Sequence, residues 1–216
     1  MSKKPRHYAH NHATGSPDED ALYLAAEASA GYFTASQAAD AGYSRSLLAH
    51  HAASGNLERV EHGIYRLRRF PESSHADLVV ASLRTGDASA ISHDSALALW
   101  GLSDVLPSQV HVTVPRTASR RRPGLRLHTG ALSDDDVTER EGVRVTSVER
   151  TIADVARSGL SDDLILQAIS EALERGLTTR ARLENLGTAR GGRTRRLVEQ
   201  ALPTRPVPRP ASRCQA

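Results

Sequence analysis

Cysteine is almost absent. Cys214, two residues from the C-terminus, is the single thiol in 216 residues, so the chain cannot form an internal disulfide framework or a cysteine-based zinc site. Aromatic residues are scarce at 4%, which leaves the core to Leu, Val, Ile and Ala, although the hydrophobic content of 39% is ordinary for a folded protein. No stretch approaches the roughly 18 consecutive apolar residues of a membrane span, and the opening "MSKKPRHYAHNHATGSP" lacks the apolar core of a signal peptide. The expectation is a cytoplasmic protein without membrane contact. Internal repeats are missing too. The charge excess is small, +3 with a pI near 9.3, so contact with a polyanion is permitted without being required, and the distribution of charge has to decide.

What is present divides the chain. Residues 1–16 read as a flexible basic arm, and its His7, His10 and His12 as solvated rather than metal-binding, because no carboxylate or cysteine stands ready to complete a site. At the other end Pro203, Pro206, Pro208 and Pro210 predict a disordered tail over 203–216. Between them the expectation is an α+β chain. Residues 17–70 form one small domain and 74–202 a second, mixed α/β domain with a small sheet and C-terminal helices. The first helix follows Ser16 as cap, Pro17 and Glu19, with Leu22, Ala25 and Ala26 inward and Gly31 as stop. Later helices are predicted at 74–84, after Ser92, after Ser147, after Ser161, and over 179–187 and 191–202. Val110, Val112 and Val114, then Leu125 and Leu127, alternate as strands do, with a third strand at "GVRVT".

The most informative stretch is "FTASQAADAGYSRSLLAHHAASGNLERVEHGIYRL". Thr34 with Gln37 is a capping box and Gly42 ends a helix of barely two turns. Ser44 then caps a second helix with Leu48 and Ala52 inward, and Gly55 closes it. Two helices joined by about three residues make a helix-turn-helix, whose second helix enters the major groove. Its outer face carries Ser44, Arg45, Ser46 and His50, and no acid occurs from Ala41 through Asn56, where a carboxylate would face the phosphates. Arg45 is the side chain expected to read a base edge, as guanine O6 and N7 accept a guanidinium in bidentate fashion. One of His50 and His51 is expected to pack and the other to meet phosphate.

Leu57, Val60, Ile64 and Leu67 around a His62-Gly63 turn then describe a hairpin, the wing, with Arg59, His62, Arg66, Arg68 and Arg69 directed at the flanking backbone. A helix pair with a hairpin is also a common folding unit and protein-interaction module; the acid-free helix beside a basic wing favours DNA.

These phrases, followed in order by "SHADLVVASLRTGDASAISHDSALALWGL", "VHVTVPR" and "GVRVTSVERTIADVA", resemble the AbiEi-type antitoxins of type IV, abortive-infection toxin-antitoxin systems, actinobacterial members in particular, over about residues 20–190. The resemblance implies an N-terminal winged helix and an α/β antitoxin domain. It further implies autorepression through repeats in double-stranded promoter DNA, and opposition to a nucleotidyltransferase-class toxin that need not be bound directly. A monomer or weak dimer would assemble on DNA. It supports Ser44, Arg45, Ser46 and His50 as recognition-helix contacts and Arg59, Arg66 and Arg68 as wing contacts. The alternative is a toxin-restraining module that does not touch DNA.

Enzymatic readings find little support. His93, Asp94 and Ser95 are adjacent at a helix start and diverge, so they read as capping and packing residues rather than a nucleophile with its base. Asp134, Asp135, Asp136, Asp162 and Asp163 follow serines at helix or turn starts, where acids are stabilising, so no Mg²⁺ site is expected. No catalytic residue, metal or cofactor is anticipated. The loop with Arg116, Arg120, Arg121 and Arg122 is a possible second basic surface, for phosphate or an acidic partner, or is charged for solubility alone.

Overall fold

The computed structural model describes residues 16–118 and 121–202. The basic arm with its histidines, Arg120, the proline-rich stretch from Pro203 and Cys214 lie outside the described residues. The chain divides into two compact units at Gly86 and Asp87, with Glu141–Val143 grouped with the first.

In the first unit the elements run α1 (Glu19–Glu27), β1 (Tyr32–Thr34), α2 (Ala35–Asp40), α3 (Arg45–Ala53), β2 (Leu57–Glu61), β3 (Ile64–Leu67) and α4 (Ala76–Thr85). The N-cap of α1 is Asp18, whose carboxylate accepts the Ala21 N–H at 2.9 Å, rather than the expected Ser16. A carboxylate serves better there because it also meets the positive helix end. Strand β1 was not foreseen. Its three residues pair with β3 in the order β1-β3-β2, so the hairpin becomes a three-stranded antiparallel sheet. Phe33, Leu48, Leu57 and Leu67 bury themselves against Leu22 and Ala26 of α1. Removing a leucine such as Leu48 from water is worth about 1.5–3 kcal/mol, enough to hold a nine-residue helix that is too short to stand alone.

The second unit holds β4 (Ala90–Ile91), α5 (His93–Trp100), β5 (Val110–Val114), β6 (Leu125–Thr129), β7 (Val137–Arg140), β8 (Val143–Thr146), α6 (Val148–Ser158), α7 (Asp162–Glu174), α8 (Arg180–Arg190) and α9 (Gly192–Ala201). Its sheet has the order β6-β5-β4-β8-β7, mixed, with β5 parallel to β6 and antiparallel to β4. Leu97, Ile152, Val155, Ile165, Ile169, Leu183 and Leu197 form the helical core. The fold class is α+β, as expected. Strand β5 departs from simple alternation. His111 and Thr113 are buried along with Val112 and Val114, because both faces of β5 are covered there. No helix among the described residues is long and apolar enough to cross a membrane.

Candidate nucleic-acid interface

Helix α2 starts from a complete capping box: the Gln37 N–H donates to Thr34 Oγ1 at 3.2 Å while Gln37 Oε1 accepts the Thr34 N–H at 2.8 Å. Gly42, with φ +82°, turns the chain into α3. There Ser44 caps, its hydroxyl accepting the Leu47 N–H at 3.2 Å and bonding the Ser46 hydroxyl at 2.9 Å. Ser44 is therefore a structural cap. Leu48, 1% exposed, fixes the inner face of α3, and Ser44, Arg45, Ser46, Ala49 and His50 are all exposed. Among the described residues no ion pair or hydrogen bond engages the Arg45 guanidinium. His51 is the packed histidine of its pair, 5.9 Å from the Tyr43 ring, while His50 is open to solvent. Ala52 is half-buried rather than central to the core.

The wing turns at His62-Gly63, with Gly63 at φ +77°, and Glu61 pairs with Ile64 across it. A register irregularity between Arg59 and Glu61 falls at Val60, which is 36% exposed. Arg59 Nη2 lies 3.3 Å from His62 Nδ1, joining two of the expected contacts at the wing tip. Arg68 and Arg69 are exposed beyond β3, and the Arg69 guanidinium sits 4.5 Å over the Tyr23 ring.

Arg66 is the exception. It stands on the central strand β3, only 8% exposed. Its Nε donates to Glu58 Oε2 at 3.2 Å, its Nη1 to the Phe70 carbonyl at 3.2 Å, and its Nη2 pairs with Glu58 at 3.1 Å and Glu72 at 3.6 Å. A guanidinium satisfied in this way is not offered to a duplex, and Arg66 is removed from the expected contacts. Its effect on the surface is still electrostatic, because it neutralises Glu58, as Arg84 does Glu61 at 3.5 Å. The exposed cations of helix and wing are left without a competing free carboxylate on the hairpin.

Of the expected second basic surface, Arg116 and Arg121 are exposed, whereas Arg122 is half-buried with Nη1 enclosed and unpartnered among the described residues. Arg122 belongs to the packing of its loop more than to an open surface.

The second unit also holds a polar cluster that sequence spacing did not reveal. The parallel register sets His111 beside Arg126 and Thr113 beside His128. His93, at φ +51° on the first residue of α5, stacks on His128 with ring centroids 3.5 Å apart. Its Nδ1 is 2.9 Å from Ser92 Oγ, which also accepts from Thr113 at 2.8 Å. Ser92 thus partners His93 in place of the Ser95 considered from sequence; Ser95 instead accepts the His111 N–H at 2.9 Å. Burial, with the neighbouring histidines and arginines, pushes His93 down to about 3 and His128 to about 4. Ser92 is 0% exposed, so its hydroxyl ties α5 to β5 and no substrate reaches it.

The aspartate runs do what turn starts require. Asp136 accepts from Ser133 and pairs with Arg150 at 3.1 Å, Arg150 also holds Asp154 at 3.0 Å, and Asp162 is gripped by Arg193 and Arg196. Among the described residues no three His, Cys, Asp or Glu side chains converge as a metal site needs.

Comparison with known proteins agrees with this architecture. Residues 20–68 match the family described as "Transcriptional regulator, AbiEi antitoxin", and residues 88–204, more than half of the chain, match the "AbiEi antitoxin C-terminal domain". No curated protein matches. Among solved structures, the RV2827C protein from Mycobacterium tuberculosis is similar at 17% identity, over 84% of this chain and 74% of that one, with a TM-score of 0.50, a likeness of fold alone. With both matches in chain order and the second over more than half of the chain, the chain belongs to the AbiEi antitoxin family, as an antitoxin with a regulatory role.

Proposed function

We propose that the chain is a cytoplasmic, DNA-binding repressor of its own operon, and that it opposes a toxin of the nucleotidyltransferase class. Helix α3 lies in the major groove. Arg45 reads a guanine edge, while the N–H groups of Arg45 and Ser46 and the side chains of Ser46 and His50 meet phosphate at the positive end of the helix. Arg59 and His62 grip the backbone from the wing tip, and Arg68 and Arg69 from its base. Two copies meet on paired repeats, each contributing one reading helix. Arg116 and Arg121 extend the positive surface of the second unit toward phosphate or an acidic partner, and opposition to the toxin belongs to that unit.

The observation that carries the reading is the state of Arg45: exposed, uncommitted to any carboxylate among the described residues, and seated at the start of a helix whose buried face is fixed by Leu48. The test is a gel shift with a labelled duplex from upstream of the chain's own gene. Binding weakens steeply with salt, and Arg45→Ala lowers affinity by about 1–3 kcal/mol while reducing discrimination between sequences. A salt-independent shift, or an Arg45→Ala variant that binds as well as the parent, overturns it. Rescue of cells expressing a neighbouring nucleotidyltransferase gene tests the toxin partner.

A further inference from the structure

A cavity of about 360 Å³ opens in the first unit among α1, the C-terminal end of α3 and the base of the wing. That volume is at the lower end of small-molecule sites. Leu22, Leu57 and Leu67, all buried, supply its apolar lining. Its polar lining is one-sided. Arg68 and Arg69 both face it, and among the described residues neither guanidinium has an ion pair. Tyr43, 6% exposed, also lines it, and no hydrogen bond engages its hydroxyl among the described residues. Burial, then the Glu19 carboxylate, raises the Tyr43 phenol above its ordinary value, so it remains a neutral donor. Among the described residues Glu19 is the one acid in the lining. Donors therefore outnumber acceptors, which describes a site for an anion.

The lining is also aromatic. Two of the chain's five tyrosines, Tyr23 and Tyr43, meet here with the His51 imidazole, in a sequence that is 4% aromatic. Arg69 already stacks at 4.5 Å on Tyr23, and a flat ring extends such a stack where a compact ion does not.

We infer that this cavity binds a planar organic anion, an aromatic ring bearing a carboxylate or phosphate, and that its occupancy withdraws Arg68 and Arg69 from DNA. The second half rests on the repressor reading above; the first does not. The anion and the duplex phosphates use the same two cations, so each ligand weakens the other, as linkage requires. Neutralising two phosphate contacts lowers the salt slope of duplex binding by about 1.8.

Calorimetric titration of the full chain, without DNA, uses benzoate and adenosine monophosphate as planar anions and inorganic phosphate as the compact control. Saturable binding of at least one planar anion, one per chain and well ahead of phosphate, is expected. Tyr43→Phe, which keeps the packing, loses at least tenfold in affinity, and Glu19→Gln, an exposed change, gains. No saturable heat with either planar probe, equal binding of phosphate, or an unchanged Tyr43→Phe isotherm overturns the site. In the gel shift, saturating anion weakens duplex binding and flattens its salt dependence in the parent but not in Tyr43→Phe; an unchanged shift overturns the competition. Failure of the anion-free protein to bind any duplex sinks the repressor reading and the competition with it, while the isotherm still judges the cavity.

Discussion

Acid should unfold the second unit through His93, and the size of the effect follows from its surroundings. The ring is 8% exposed, stacked at 3.5 Å on His128, 6.1 Å from His111, and faces the charges of Arg126 and Arg150. These hold it at about 3, against an ordinary value of 6.5. The unfolded chain therefore binds a proton that the native state refuses throughout the interval between those values. Stability is intact above about pH 6.5 and falls as pH drops toward 3. At pH 4, about 2.5 pH units below the ordinary value, the unfolded state holds a proton that the native state largely refuses, so the loss relative to pH 7 is about 3 kcal/mol from this residue.

His128, held at about 4, and the lowered His111 act in the same direction, with Asp94 partly offsetting the latter. Asp154, raised chiefly by burial against the pull of Arg150, acts in the opposite one. A substitution isolates the His93 contribution. His93→Asn carries no titrating group and tolerates the positive φ of 51°, where a β-branched residue would be strained. Trp100, the chain's sole tryptophan, lies on the same helix and donates its Nε1 proton to the Thr146 carbonyl at 3.0 Å, so its fluorescence reports the unfolding of this unit. In urea titrations followed at that signal, the parent loses more stability than His93→Asn between pH 7 and pH 4, by up to about 3 kcal/mol. Parallel losses in the two proteins would refute the reasoning.

Arg66→Ala should destabilise the first unit by about 2 kcal/mol in thermal or urea unfolding, because Glu58 loses its buried partner. Arg45→Ala, from an exposed site with no ion pair among the described residues, leaves the midpoint nearly unmoved. Gly31→Ala should cost more than 2 kcal/mol, since the added carbon would lie 2.5 Å from Phe70 Cβ at a backbone φ of +93°; a midpoint within two degrees of the parent would contradict that. Thr34→Ala removes the cap of α2 and should cost about 1 kcal/mol, read by the same unfolding curves. Ile152→Ala in the helical core of the second unit should cost about 2–5 kcal/mol.

Local chemistry was enough to read the helix pair and the wing. Thr34 and Gln37, Ser44, Gly42 and the His62-Gly63 turn act on groups only a few residues away, so their meaning is carried by spacing alone. Part of the exposed basic face followed from the same arithmetic, because once Leu48 points inward the period of the helix sends His50 outward, whereas Arg45, three residues before Leu48, is exposed because it is the first residue of the helix. Three-residue β1 and two-residue β4 carry no periodicity and exist only because β3, β5 and β8 offer them partners. Arg66 looked like a wing cation because nothing within its own strand tells of Glu58, Phe70 and Glu72 closing around it. The histidine cluster joins residues 93, 111 and 128 through a parallel strand register and one left-handed helix start, relations that neighbouring residues do not encode. The sequence by itself determined the capped helices and the turn of the wing hairpin, since capping and turn chemistry are short-range. Tertiary structure alone decided which polar groups become buried partners, because desolvation depends on everything that packs around a group rather than on its place in the chain.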